Sequence, residues 1–220
     1  MNGGEATVVV PQFNRAELTR ACLASLRRYE RVRWPVVVVD DGGEPGGVEP
    51  IEIAGVACVR QEHAGVSAAW NLGAGLAATP YLVFLNNDTV FRGPVIEGLL
   101  KPLRRGALVS GIGMRREGAL PRDVIARLPC AEFVAGWCFA VAREAFRGIG
   151  GFDAAMRVYW SDTDLQCRLL QQCGRAGDAL ACDAGLPVRH LAHRTARAVP
   201  GRRRIWSEDR AAFIRKWRAA

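Results

Sequence analysis

The sequence predicts an α/β fold with a mainly parallel central sheet and helices on both faces of that sheet. Residues 6–11 (ATVVVP), 34–40 (WPVVVVD) and 81–85 (YLVFL) are short apolar runs rich in β-branched or aromatic residues. Runs of this kind are typical of strands that are buried on both faces. Stretches with helical spacing alternate with these strands, which is the pattern of a sheet covered by helices.

The first half of the chain alternates regularly between strand and helix. Residues 17–29 place Leu18, Cys22 and Leu26 on one helical face, and Asn14 is a suitable N-cap for this helix. The other elements predicted here are a strand at 56–60, an Ala-rich helix at 66–78 and a helix at 94–104.

The second half has shorter and less regular elements. The strands predicted here are 108–114, 132–141 (broken at Gly136), 179–182 and 187–190, and the helices are 143–147, 161–173 and 205–217. Residues 115–127 are polar and poorly patterned, so they are predicted to form a loop or a lid. We find no internal repeat and no linker, so residues 1–220 are expected to form one domain.

Composition limits the class of protein. A chain of 220 residues, 50% of them hydrophobic, suits one large domain. It has no apolar run of roughly 18 residues and no signal-peptide pattern at its start. The seven cysteines are odd in number and lack a CxxC pair, so we expect reduced thiols and not a disulfide or zinc framework. A cytoplasmic location is the corresponding expectation.

The formal net charge of +8 favours anionic partners. Arginines crowd residues 189–218 in particular. Nucleic acid, an anionic membrane surface or a phosphorylated substrate would each fit this charge, and a simply solvated basic face is the alternative. Because nucleic-acid binding rests on charge alone, no nucleic-acid partner is predicted.

Polar clusters follow two of the predicted buried strands. Asp40 and Asp41 end one strand, and Asn87 and Asp88 follow another. Open α/β sheets bind ligands at the carboxyl edge of their strands, so the clusters are expected to converge. Asp88, as a hard oxygen ligand, suits Mg²⁺ or Mn²⁺ held partly by substrate phosphates. The alternative is a simple turn, because Asn-Asn-Asp-Thr is also good turn chemistry.

Several stretches, taken in order, resemble the family 2 glycosyltransferases, which have the GT-A fold. They are 8–26 (VVVPQFNRAELTRACLASL), 36–43 (VVVVDDGG), 63–73 (HAGVSAAWNLG), 81–89 (YLVFLNNDT), 136–153 (GWCFAVAREAFRGIGGFD), 159–169 (YWSDTDLQCRL), 188–190 (VRH) and 213–217 (FIRKW). Within that family the sequence is most similar to bacterial rhamnosyltransferase-like members. The resemblance implies a nucleotide-binding half (1–105) and an acceptor-binding half (106–220).

This resemblance also implies an activity and its partners. The expected reaction is inverting transfer of a sugar from a UDP-, dTDP- or GDP-linked donor to the hydroxyl of a sugar or lipid-linked acceptor. Bacterial polysaccharide or glycoconjugate synthesis is the expected setting. The basic helix at 205–217 would rest on anionic lipid at the inner face of the membrane, or else close the fold as a packed helix.

The resemblance implies donor-side roles for five residues. Phe13 takes the place of an aromatic residue that packs on the nucleotide base, with a plain core Phe as the alternative. Asp41 takes the place of the carboxylate that accepts a hydrogen bond from the base, and Asp40 beside it is expected to be structural. Asn87 stands where many members carry another Asp. Asp88 and His190 take metal-site positions, although a lone His is also often structural.

Asp162 takes the place of the catalytic base. The family usually has Glu-Asp at this point, whereas this chain has Ser161-Asp162. The alternative for Asp162 is a helix N-terminal role. Asp164 is expected to be structural, through an S-x-x-D capping box or a pair with Arg168. The departures at Asn87 and Ser161 also leave open a second hypothesis, a catalytically silent nucleotide-binding module or partner subunit.

Overall fold

The computed structural model describes residues 4–43, 55–191, 199 and 201–219. The strands are β1 (Ala6–Gln12), β2 (Val36–Asp40), β3 (Val56–Arg60), β4 (Tyr81–Leu85), β5 (Thr89–Phe91), β6 (Val109–Gly111), β7 (Met114–Arg115), β8 (Phe133–Val134), β9 (Cys138–Ala142), β10 (Leu180–Cys182) and β11 (Val188–His190). The helices are α1 (Ala16–Tyr29), α2 (Val66–Leu76), α3 (Ile96–Arg104), α4 (Arg122–Ile125), α5 (Arg143–Gly148), α6 (Ser161–Gln172) and α7 (Arg202–Ala219), with a 3-10 turn at Gly177–Ala179.

Seven strands form the central sheet, in the order β10-β6-β9-β4-β1-β2-β3. All pairs are parallel except those of β9, which runs antiparallel to both β4 and β6. Two small antiparallel ladders, β5 with β11 and β7 with β8, flank this sheet. The predicted mainly parallel sheet is therefore confirmed.

Each face of the sheet carries its own part of the core. Val8, Val10 and Val83 pack with the buried residues of α1 and α3, whereas Val9 and Phe84 pack on the side of α2 and α6. This alternation follows from the two-residue period of a strand. Burying a side chain of this size contributes about 1.5–3 kcal/mol. Because the strands are apolar on both faces, both faces of the sheet must be covered, and helices cover them as predicted. The edge strand β3 is the exception, since all of its residues are at least partly exposed.

Two predicted helix caps are wrong. Asn14 does not cap α1, because Asn14 and Arg15 both adopt left-handed backbone conformations and the N-cap position falls on Arg15. No capping box forms at α6 either, because Ser161 is already its first helical residue and Trp160 holds the N-cap position. In both places a left-handed turn, and not a side-chain cap, brings the chain into the helix.

The predicted loop or lid at 115–127 is partly ordered secondary structure. Arg115 belongs to β7, and α4 follows with Val124 fully buried. Arg218 of α7 donates to Asp123 over 2.8 Å. This segment is therefore packed against α7.

Helix α7 closes the fold. Its apolar residues Ile205, Phe213 and Trp217 are buried. The apolar face of α7 therefore packs on the core, which agrees with the alternative of a packed helix that closes the fold. Trp217 also donates its indole N–H to Asp164 over 2.9 Å. Among the described residues, no helix combines the length and the hydropathy that a membrane span requires.

Candidate active site

The carboxyl ends of β1, β2 and β4 open into a cavity of about 420 Å³. Because β9 is antiparallel to β4, the residues that precede β9 lie at the same edge, and Asn86 donates its backbone N–H to Trp137. All six predicted site residues line this cavity: Phe13, Asp41, Asn87, Asp88, Asp162 and His190. Side chains that are far apart in the sequence thus meet where open α/β sheets bind ligands.

Asp88 and His190 are direct neighbours. His190 Nε2 lies 2.9 Å from Oδ1 of Asp88, across 102 residues of sequence. The β5–β11 ladder produces this contact, because it sets His190 opposite Thr89 and lets Leu191 donate to the Asp88 carbonyl. The His190 ring also stacks on Trp137, with centroids 5.1 Å apart and planes 4° apart. The imidazole is therefore fixed beside a carboxylate that is only 3% exposed.

These two side chains fit a divalent cation. Carboxylate oxygen suits Mg²⁺ and Mn²⁺, and imidazole nitrogen suits transition metals. In the part of the chain that the structure describes, no group of three or more His, Cys, Asp or Glu side chains could hold a metal ion. Two protein ligands leave coordination positions for phosphate oxygens and water, as is common for Mg²⁺ at nucleotide sites.

Asp41 is bonded to the segment that leads into α2. Its two oxygens accept hydrogen bonds from the backbone N–H groups of Ala64 and Gly65, at 2.8 and 2.9 Å, and from Gln61 Nε2 at 2.7 Å. His63 Nδ1 lies 3.0 Å from the second oxygen. Four donors match the roughly four lone-pair sites of a carboxylate. A further N–H donor would therefore reach Asp41 only in place of the Gln61 or His63 side chain.

Phe13 and Asn87 form neighbouring parts of the wall. The Phe13 ring lies 4.3 Å from the His63 ring, centroid to centroid, with 32° between the planes. Asn87 is buried and donates its side-chain amide to Thr19 Oγ1 of α1, at 3.1 Å. The Asn87 amide thus ties the loop after β4 to α1. His63 is an aromatic wall residue that our sequence analysis did not single out.

Asp162 lies in the first turn of α6 and pairs with Arg115. One guanidinium nitrogen of Arg115 lies 2.7 Å from each Asp162 oxygen and 2.9 Å from Thr163 Oγ1. Glu117 Oε1 lies 3.1 Å from the same nitrogen. A Cβ on Gly136 would lie 2.2 Å from Asp162 Oδ2. The site therefore needs glycine at position 136 to make room for the Asp162 carboxylate.

Arg115 is a site residue that sequence reasoning missed. Burial lowers its pKa, but the negative charges of Asp162 and Glu117 outweigh that effect, and the net shift is upward. Arg115 therefore stays protonated and holds its positive charge against the Asp162 carboxylate. The sequence shows Arg115 only as the first residue of the polar segment 115–127, so its contact with Asp162 could not be predicted.

The residues expected to be structural have structural contacts. Asp164 lies 2.7 Å from Arg168, as the i,i+4 spacing predicted, and it also accepts from Trp217. Asp40 lies 3.0 Å from Arg60 on the neighbouring strand. The predicted pair of Asp164 with Arg168 is confirmed, and neither Asp164 nor Asp40 is among the residues that line the cavity.

Asp209 of α7 is a second residue that sequence reasoning missed. It is 1% exposed and accepts hydrogen bonds from the backbone N–H groups of Arg157, Val158 and Tyr159, at 2.8–3.1 Å. Val158 and Tyr159 line the cavity. Asp209 thereby fixes the segment that leads into Asp162. This role could not be predicted from the sequence, because the partners of Asp209 lie some fifty residues away.

Solved structures share this fold. The mannosyltransferase PcManGT from Pyrobaculum calidifontis, in complex with GDP-Man and Mn²⁺, superposes with a TM-score of 0.67 at 19% identity, over 98% of this chain and 65% of that one. Residues 1–349 of TarS from S. aureus give a TM-score of 0.63 at 12% identity, over 86% of this chain and 60% of that one. The fold is therefore GT-A.

Sequence comparison gives the family. An uncharacterized glycosyltransferase of Haemophilus influenzae is 27% identical over 183 residues, which are 76% of this chain and 62% of that protein. Glycosyltransferase GlyA of Streptococcus pneumoniae is 29% identical over 102 residues, 44% of this chain and 15% of that protein. This chain thus spans about three fifths or less of these relatives. The model of Glycosyl transferase family 2 matches residues 7–164. The chain belongs to glycosyl transferase family 2.

Proposed function

We propose that this chain transfers a sugar from a nucleotide-diphosphate sugar to an acceptor hydroxyl, with inversion at the anomeric carbon. One observation carries the proposal: the Asp88–His190 pair and Asp162 line the same cavity. A cation ligand pair and a carboxylate base are the two parts that such a transfer needs. Family membership supports the same reaction class.

The donor side is assigned to Phe13, Asp41 and Asn87. Phe13 offers a ring for the base, and Asp41 offers a carboxylate to a base N–H. Asn87 fixes the loop that carries Asp88. Uracil, thymine and guanine all present a ring N–H, so UDP-, dTDP- and GDP-linked sugars are all candidates. The Pyrobaculum structure contains GDP-Man and Mn²⁺, which makes GDP-mannose the first donor to test.

Asp88 and His190 are assigned to a divalent cation, Mg²⁺ or Mn²⁺. When bound, such a cation stabilises the negative charge of a departing diphosphate. Charge stabilisation of this kind is often the largest single contribution to catalysis. The stacked His190 ring and the buried Asp88 carboxylate are held in place before any ligand arrives.

Asp162 is assigned as the catalytic base. In a single displacement the acceptor oxygen bonds to the anomeric carbon as the bond from that carbon to the diphosphate oxygen breaks. The acceptor proton passes to Asp162, and inversion follows because no covalent intermediate forms. Arg115 contacts both oxygens of this carboxylate. One of these oxygens must therefore face the acceptor hydroxyl while the carboxylate stays paired with Arg115.

We keep the division into a donor half (1–105) and an acceptor half (106–220), with His190 as the one donor-side residue that comes from the second half. Phe13, Asp41 and Asp88 come from the first half, and Asp162 and His190 come from the second. We place the reaction in polysaccharide or glycoconjugate synthesis at the cytoplasmic side of the membrane, with the basic face of α7 as a peripheral contact.

The direct test is Asp162→Asn, assayed for transfer from UDP-, dTDP- and GDP-sugars to a broad acceptor panel. Loss of the base should lower the transfer rate by about 10²–10⁴, with nucleotide affinity unchanged. Asp123→Asn, which alters a surface carboxylate paired with Arg218, is the matched control and should keep full activity. Normal turnover in Asp162→Asn would remove the base assignment.

A silent nucleotide-binding module is the second candidate, favoured by Asn87 and Ser161 in place of the usual acidic residues. The same assay separates the two. Nucleotide binding by the unaltered protein, with neither donor hydrolysis nor transfer to any acceptor, would support the module.

A further inference from the structure

A second cavity lies beside the first. It has a volume of about 500 Å³ and is lined by Tyr159, Arg202, Arg203, Trp206 and Ser207. Tyr159 also lines the main cavity, so the two cavities share a wall. The second cavity is formed largely by the first turns of α7, and no catalytic or nucleotide-binding role assigned above uses its residues.

Aromatic rings connect the two cavities. Trp160 lines the main cavity, and its ring lies 5.2 Å from that of Trp206, centroid to centroid. Trp206 is 39% exposed, the most exposed tryptophan among the large hydrophobic residues of the described chain. Trp160 adopts a left-handed backbone conformation with φ of 58°, which a bulky residue rarely takes. An aromatic surface thus runs from beside Asp162 to the outside.

Two guanidinium groups stand at the rim of the second cavity. Arg202 and Arg203 are exposed and line this cavity. The charge of Arg202 opposes the rise in the pKa of Tyr159 that burial causes. The neighbouring Arg204 pairs with Glu208 instead. Among the described residues that line the cavity none is acidic, so its lining carries two positive charges.

We propose that the second cavity is an acceptor subsite for a saccharide that carries a phosphate group. Trp206 offers a flat apolar face to the C–H face of a sugar ring, and Arg202 and Arg203 offer the planar forks of donors that match phosphate oxygens. The subsite rests on the proposed function, because it assumes that the reacting hydroxyl of the same acceptor lies at Asp162.

The test measures binding and not transfer. Ligand-observed NMR titrations compare glucose 1-phosphate with methyl glucoside, on the protein and on the double variant R202Q/R203Q. We expect the phosphorylated sugar to bind the unaltered protein roughly tenfold more tightly than the neutral sugar. The double variant should lose that preference, and Trp206→Ala should weaken binding of both sugars.

The double variant R31Q/R215Q is the matched control, because it removes two exposed arginines away from the second cavity. It should bind like the unaltered protein. All variants should keep the nucleotide affinity and the melting temperature of the unaltered protein. Equal binding of both sugars, or an unchanged preference in R202Q/R203Q, would overturn the subsite.

A third arm identifies the source of the phosphate. Glucose carried on a polyprenyl diphosphate in phosphatidylcholine vesicles is compared with free glucose 1-phosphate. Binding to either probe that depends on Arg202 and Arg203 supports the subsite, and the tighter probe shows whether the acceptor is lipid-linked or free. Binding to neither probe contradicts it. Because these readouts need no turnover, a failure of glycosyl transfer would leave them interpretable.

Discussion

A single guanidinium group orients the carboxylate to which we assign proton removal. Arg115 reaches both oxygens of Asp162 and also contacts Thr163 and Glu117. It fixes the direction of that carboxylate, so Arg115 is a positioning residue for the reaction.

Arg115→Gln should therefore lower kcat by roughly 10- to 100-fold, because a misplaced base loses much of its effect. The KM for the donor should change little, since the donor contacts proposed above lie elsewhere. The neighbouring variant Arg116→Gln, which disrupts only an exposed pair with Glu132, should behave like the unaltered enzyme. Steady-state kinetics of both variants check this, and equal kcat values would contradict it.

Gly136 provides a steric test of the same carboxylate. A methyl group at this position would lie 2.2 Å from Asp162 Oδ2 and 2.7 Å from Asp162 Cβ, so the carboxylate must move. We expect Gly136→Ala to reduce transfer by about 10² or more. Gly118→Ala, where no atom of the described residues beyond the adjoining ones lies within 4 Å of the added methyl group, is the control. Full activity in Gly136→Ala would show that the position of Asp162 is not critical.

For individual residues, the sequence indicated which side chains to expect in the site but not which atoms they contact. The six candidate residues could be predicted because their chain segments resemble a family pattern. Arg115 and Asp209 could not, because the contacts that give them a role, with Asp162 and with the backbone of Arg157, span 47 and 52 residues. The four donors on Asp41 were missed for the same reason.

At the scale of elements, two short pieces complete the site. The three-residue strands β5 and β11 bring His190 onto Asp88. Helix α7 supports the opposite wall from the outside through Asp209. Sequence patterns indicated β11 and α7, with ends displaced by a few residues, but not β5. They did not indicate that either element serves the cavity.

Asp209→Ala should destabilise the protein by about 2–4 kcal/mol, because three backbone N–H groups lose a buried charged acceptor. Transfer activity should fall as well, since the freed segment leads into Asp162. Glu208→Gln, on the exposed side of the same helix, should change stability only slightly. Urea unfolding of the two variants measures the difference, and equal midpoints would disprove this role of Asp209.

At the scale of the whole molecule, the order of the strands places the site. Strand β1 has β2 on one side and β4 on the other, so the chain reverses its direction of travel across the sheet at β1. The cavity lies beyond the carboxyl ends of these three strands, where such reversals bind ligands. Apolar strands and polar clusters at their ends sufficed to predict this edge. The antiparallel direction of β9 and the second cavity could not be predicted, since both depend on packing between distant segments.

The central claim is that this edge binds a nucleoside diphosphate together with a divalent cation at Asp88. Titration calorimetry with UDP, dTDP and GDP, with and without Mn²⁺, tests it on the unaltered protein and on Asp88→Asn. We predict that at least one nucleotide binds about tenfold or more tightly with Mn²⁺, and that Asp88→Asn abolishes this gain. Failure of all three nucleotides to bind, or the same affinity with and without Mn²⁺, would contradict the claim.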